Sequence, residues 1–201
     1  MGKKLRLNTM IEAAFFAAFA FVLDMLPSIK LGPWISIAIA MVPIFIVAFR
    51  WGFKASFAAG FLWGLLQIVL GDADDILSPL QGFIEYFIAF SFIGFAGLFY
   101  GPIQKALHGG RKKRALLLIS LAVLAGSLAR YFWHFLAGII FWGIYAPDGL
   151  SPVLYSLIVN GGTMIGSAVL CAIVLNLLIG SAPRIIKQKQ TDSNTVSRKA
   201  I

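Results

Sequence analysis

Long apolar runs, separated by glycines, prolines and a few charged residues, follow one another along this chain to about residue 180, several of them sixteen or more residues with almost no charge. A run of that length needs hydrocarbon as its solvent, and in hydrocarbon the backbone must satisfy its own hydrogen bonds, so these segments read as membrane-spanning helices. Hydrophobic residues make up 60% of the 201 positions and charged residues 12%, whereas a water-soluble domain is about half apolar and about a quarter charged. The mean hydropathy is +0.89. A soluble globular fold is excluded, and the chain is expected to be an all-α, multi-pass protein of the cell membrane.

Reading the apolar runs between charges and Gly/Pro breaks gives six helices, at about 9–26, 34–49, 53–70, 79–100, 115–144 and 152–180. Six spans put both termini on one side. Lys3, Lys4 and Arg6 resemble the basic start of a signal peptide, but the apolar segment runs on to Pro27 without a cleavage site and reads as a retained helix. With the N-terminus in the cytoplasm, fifteen of the seventeen Lys and Arg fall inside: three at the start, Arg50 and Lys54, five across residues 105–114, and five in the C-terminal segment. The net charge of +9 is therefore a topology signal. Arg111, Lys112, Lys113 and Arg114 read as an anchor beside anionic lipid headgroups, and no nucleic acid is implied. Residues 1–183 form the six-helix unit, and 184–201 are expected to be a disordered cytoplasmic tail. No internal repeat is found, which weighs against a secondary transporter built on inverted halves. Cys171 is the sole cysteine, so neither a disulfide nor a thiolate metal cluster can be built.

Ionisable groups at membrane depth are costly and mark function, and here they are Glu85, Arg130 and His134. Counting from the outer helix ends at 1.5 Å per residue puts Glu85 roughly 9 Å, Asn160 roughly 12 Å and His134 roughly 15 Å down. These three share a level. Arg130, His134, Gly138 and Trp142 recur every four residues on one slowly turning helix face. Gly138 then either leaves a slot for a flat ring or admits a neighbouring helix. Trp34, Trp142 and Tyr155 lie above this level, as a lid over a site or as an interfacial aromatic belt. Tyr86, about 100° round the helix from Glu85, would flank such a site at most.

A buried carboxylate with aromatic faces, a histidine and an asparagine suits a planar, cationic, hydrogen-bonding small molecule. An internal Glu85–Arg130 pair would neutralise the site and remove that argument. No His-Glu-x-x-His, no Gly-x-Ser-x-Gly and no clustered metal ligands occur, so no enzyme, cofactor or metal site is implied. No P-loop is present either, and active transport would need energy from another subunit. On the first helix the pairs Ala14/Ala18 and Ala13/Ala17 make small flat patches, suited to docking a partner helix or to packing inside the bundle.

At Trp34, at Phe83, Ile84, Glu85 and Tyr86, across residues 130–142, and from Tyr155 to Asn160 and Gly161, the sequence resembles the thiamin-specific S-components (ThiT family) of energy-coupling-factor transporters. The resemblance spans residues 5–180. It implies a six-helix membrane subunit that binds thiamin from outside and works with a transmembrane coupling subunit and two cytoplasmic ATPases. Carried onto this chain, it implies that Glu85, His134, Tyr155 and Asn160 contact the polar edges of the ligand while Trp34 and Trp142 stack on its rings. It further implies that Ala14 and Ala18 face the coupling subunit. Two positions depart from the family pattern: Arg130 stands where some members have Lys, and the loop at 71–75 is acidic where an aromatic lid residue can occur. The function expected is high-affinity thiamin capture for ATP-driven uptake; a stand-alone secondary transporter of an organic cation is the alternative.

Overall fold

The computed structural model describes residues 6–32, 34–71 and 76–188. The acidic stretch 72–75 and the tail from 189 onward lie outside the described residues. The chain folds as α1 (Leu7–Asp24), a hairpin of β1 (Ile29–Leu31) and β2 (Ile35–Ile37), then α2 (Val42–Trp51) and α3 (Phe53–Leu70). Three long helices follow, α4 (Pro79–His108), α5 (Lys112–Ile140) and α6 (Pro152–Ser181). Among the described residues, five helices are long and apolar enough to cross a membrane. Their outer faces carry leucines and phenylalanines such as Leu7, Phe15, Leu117 and Leu177, an arrangement stable only against lipid.

α2 is the exception, and it corrects the expected helix at 34–49. Its ten residues rise about 15 Å, half of a hydrocarbon core about 30 Å thick. The residues before it pair instead as an antiparallel hairpin turning at Gly32, whose φ is +67°. Ile35 and Ile37 lie against Gly162 and Gly166 of α6, where a Cβ would come within 2.6 and 2.4 Å of the isoleucine methyls. The Ser36 and Ala38 amides donate to Thr163 Oγ1 (3.3 Å) and Ser167 Oγ (3.2 Å). β-Branched residues at every second position fit a strand, and these serine and threonine acceptors give its amides partners. α2 is buried from Val42 to Phe49, as expected of a helix apolar all round. It carries Pro43 in its first turn and stops at Gly52, whose φ of +80° ends the helix before α3 resumes.

Close backbone approach holds α3 to α4. A Cβ at Gly60 would lie 2.2 Å from the Phe90 carbonyl oxygen and one at Gly64 1.7 Å from that of Tyr86, so a side chain at either position would push the helices apart. α4 itself is not uniformly α-helical. After an N-cap in which Ser78 Oγ accepts from the Gln81 amide (3.2 Å), it widens into a π-helical stretch over Phe83–Ala89 and tightens to a 3₁₀ stretch over Ile93–Phe99. α6 likewise widens over Leu157–Gly161.

The described residues continue to 188. A short turn, Pro183–Ile185, leads to buried Ile186. Gln104 Nε2 donates to the Phe49 and Ile186 carbonyls (2.8 and 2.7 Å), and Gln188 bonds to Gln104, Tyr100 and the Arg50 carbonyl. Arg50 also donates to Glu12 of α1 (2.7 Å), which accepts the Trp51 indole N–H as well (2.7 Å). One polar cluster therefore ties α1, α2, α4 and residues 185–188 together.

Candidate functional site

Near the hairpin end of the bundle, α4, α5 and α6 enclose a cavity of about 250 Å³ lined by Glu85, Gly138, Trp142, Tyr155, Ser156, Val159 and Asn160. Five of the residues singled out from sequence therefore line one cavity. Glu85 and Asn160 both sit on the π-helical stretches of their helices. A π turn inserts one residue and rotates the remainder of the helix, a feature concentrated at functional sites.

Glu85 is held on one side and faced by an imidazole on the other. Gln81, one turn earlier and fully buried, donates from Nε2 to Glu85 Oε2 and accepts the Leu77 amide at its Oε1 (3.1 Å). On the other side His134 Nδ1 lies 3.7 Å from Glu85 Oε1. The far nitrogen, His134 Nε2, faces Arg130 Nε at 3.3 Å. An arginine N–H can only donate, so Nε2 must carry the lone pair, and the proton of the neutral ring sits on Nδ1, the atom turned to the carboxylate. No ion pair joins Arg130 to Glu85 among the described residues; the guanidinium lies over Phe90 (4.1 Å), Trp63 (4.7 Å) and Tyr131 (5.5 Å). Three aromatic faces are worth about 2 kcal/mol or more to a desolvated cation. This leaves Glu85 as the charged group that lines the cavity, with Arg130 acting on it through the imidazole.

Gly138 sits where α5 and α6 meet at the cavity. A Cβ there would come within 2.2 Å of Ser156 Oγ and 2.9 Å of Asn160 Nδ2, so the glycine admits α6, and its bare backbone still lines the cavity. Ser156 donates to the Phe135 carbonyl (2.7 Å) and accepts from Asn160 Nδ2 (3.1 Å), which orients the amide. Trp34, 40% exposed, meets Tyr155 edge to face at 5.7 Å and so reaches the site through that ring. Tyr86 does not line the cavity: it is buried and stacked on Phe90 at 5.8 Å. Gln81 and Ser156 went unnoticed in the sequence. The available signal was their place one turn before Glu85 and Asn160.

Ala14 and Ala18 lie apart from the cavity: both are exposed on the outside of α1, while Ala13 and Ala17 are buried in the bundle.

The family model described as thiamine transporter protein matches residues 10–187. A protein named thiamine transporter ThiT from Lacticaseibacillus paracasei is 38% identical over 202 residues, covering all of both chains. One of the same name from Bacillus subtilis is 38% identical over 189 residues, covering 93% of this chain and 98% of its own. The solved structure of ThiT from Listeria monocytogenes superposes with a TM-score of 0.87 at 39% identity, over 91% of this chain and 99% of that one. With a matching family model over most of its length and relatives of the same size and fold, this chain belongs to the thiamine transporter protein family, a family of membrane transporters and not of enzymes.

Proposed function

We propose that this chain is the thiamin-binding S-component of an energy-coupling-factor transporter, taking thiamin from the outside and passing it inward only when docked on a transmembrane coupling subunit with two ATPases. The observation that carries the reading is a carboxylate, Glu85, braced by Gln81, with His134 Nδ1 3.7 Å away, and facing a cavity whose other walls are Trp142, Tyr155 and Asn160. Thiamin has a permanently cationic thiazolium ring and an aminopyrimidine with donor and acceptor edges. Glu85 and Asn160 answer the charge and the edges, and Trp34, Trp142 and Tyr155 answer the rings. The cavity, about 250 Å³, is slightly below the roughly 300–1,000 Å³ of pockets for drug-sized ligands, as suits one small vitamin.

The positive-inside pattern supports an outward-facing site, since the hairpin end bears Lys30 and Asp148 while Arg50, Lys105 and residues 111–114 gather at the other. Without a P-loop the chain needs a partner for energy, and the exposed Ala14/Ala18 face of α1 is the proposed docking surface.

The test is a thiamin titration of the purified chain followed by tryptophan fluorescence. Quenching that saturates is expected, and Trp34→Phe with Trp142→Phe should remove most of it. A wild-type protein that responds to riboflavin or biotin but not to thiamin would show the substrate to be wrong. Uptake by the chain alone in proteoliposomes under an ion gradient would instead select the secondary-transporter alternative.

A further inference from the structure

Where α4 ends and α5 begins, a second cavity of about 370 Å³ is lined by Gly101, Pro102, Lys105, Ala106, Arg111 and Arg114. It is a separate site, since twenty residues of helix between Glu85 and Lys105 span about 30 Å. Three cations share it, and among the described residues none of them has an ion pair or a side-chain hydrogen bond. Arg50 shows the contrast, being paired with Glu12 at 2.7 Å. The N-terminus of α5 adds to the positive field, because its first turn holds no acidic residue and its N-cap makes no side-chain bond. The space is open against the α4 backbone, where a Cβ at Gly101 would meet nothing within 4 Å.

Apolar rails lead away from these charges toward the middle of the membrane. Leu98, one turn before Pro102, is exposed on α4. On α5 exposed Leu117, Leu121, Leu124 and Leu128 follow Arg114 at intervals of three or four residues and so continue its face. A free anion would need only the cations; an anion attached to acyl chains also uses the leucines. We propose that this cavity is a binding site for the headgroup of an anionic phospholipid, with the phosphate among Lys105, Arg111 and Arg114 and the chains along α4 and α5. Basic pockets between helices on the cytoplasmic side take lipid headgroups in this way.

Retention of phosphatidylglycerol against phosphatidylcholine by the detergent-purified full chain, read by native mass spectrometry, tests it. Wild type should keep phosphatidylglycerol selectively. The triple variant Lys105→Gln, Arg111→Gln, Arg114→Gln should lose it by about tenfold or more, since each cation near an anionic headgroup adds to the attraction. Gly101→Trp, which fills the cavity and leaves every charge in place, should lose it as well. A control triple, Lys54→Gln, Arg184→Gln, Lys187→Gln, should retain it, and helicity by circular dichroism checks that each variant is folded. Equal loss in the control, or no loss in Gly101→Trp, would reduce the effect to diffuse charge and overturn the site. In wild type, equal retention of both lipids would overturn it without any variant. Release of the lipid by millimolar inorganic phosphate would make the ligand a free anion and overturn the lipid assignment.

Discussion

At the scale of single residues, the site rests on how one carboxylate is held. Glu85 is 14% exposed, and a charge so far out of water that then meets a cation interacts more strongly than an exposed one. Glu85→Gln should therefore weaken thiamin by about 2 kcal/mol or more, measured by fluorescence titration, and should weaken an uncharged aminopyrimidine fragment less. Equal losses would make Glu85 a hydrogen-bond acceptor only. Arg130 acts one step back, fixing which nitrogen of His134 faces the carboxylate. In a double-mutant cycle of Arg130→Gln with His134→Gln, thiamin binding should show a coupling of about 0.5 kcal/mol or more, and additive losses would count against the link. Glu85, His134 and Asn160 were legible because polar groups stand out in an apolar sequence. Gln81 and Ser156 were not, since an amide or hydroxyl next to the site looks like any other helical polar residue. The role of Arg130 was unreadable for another reason: its partners are aromatic faces contributed by three helices, and no spacing rule connects them.

At the scale of elements, helices were readable wherever an apolar run was long, and misread where its length hid a change of structure. Residues 34–41 are as apolar as the helix after them, yet Ile35–Ile37 pair as a strand and an irregular stretch leads on to α2, because α6 offers Gly162 and Gly166 for Ile35 and Ile37. That groove is a tertiary fact, absent from the local sequence. The π-helical stretches of α4 and α6 are equally silent, since one extra residue in a turn leaves no compositional trace. Gly138 couples these elements. Any side chain there meets Ser156 Oγ, so Gly138→Val should separate α5 from α6 and lower thiamin affinity by about tenfold or more, the scale of an overpacked core. Gly161→Ala is the matched control, its Cβ 3.7 Å from the nearest side-chain atom, Leu157 Cδ1, and should bind thiamin like wild type. Unchanged binding in Gly138→Val would mean that the cavity tolerates a shifted α6 and that the glycine matters only for packing.

At the scale of the whole molecule, capture and transport should be separable, because the chain has the cavity proposed for thiamin and its sequence has no P-loop. The sequence left open whether the alanines of α1 serve the bundle or a partner, and burial divides them: Ala13, Ala17 and Ala20 are buried, whereas Ala14 and Ala18 face outward. Side by side on one face, the exposed pair leaves a strip of bare backbone between larger exposed groups such as Phe15 and Val22. In lipid, where no hydrophobic force drives helices together, such a strip is valuable because it lets a second backbone approach closely. Bulk at those positions should block that approach and touch nothing within the chain. Ala14→Trp with Ala18→Trp should therefore leave the thiamin titration of the isolated protein within about twofold of wild type, as surface changes remote from a site do, while ATP-dependent thiamin uptake by cells collapses. The internal pair gives the opposite pattern, since Ala17→Trp forces an indole into a fully buried position and should lower folded yield and binding together. If the Ala14/Ala18 variant takes up thiamin at the wild-type rate, that strip faces lipid alone and the partner must dock on another face; if it loses binding along with uptake, α1 is coupled to the ligand site through the bundle.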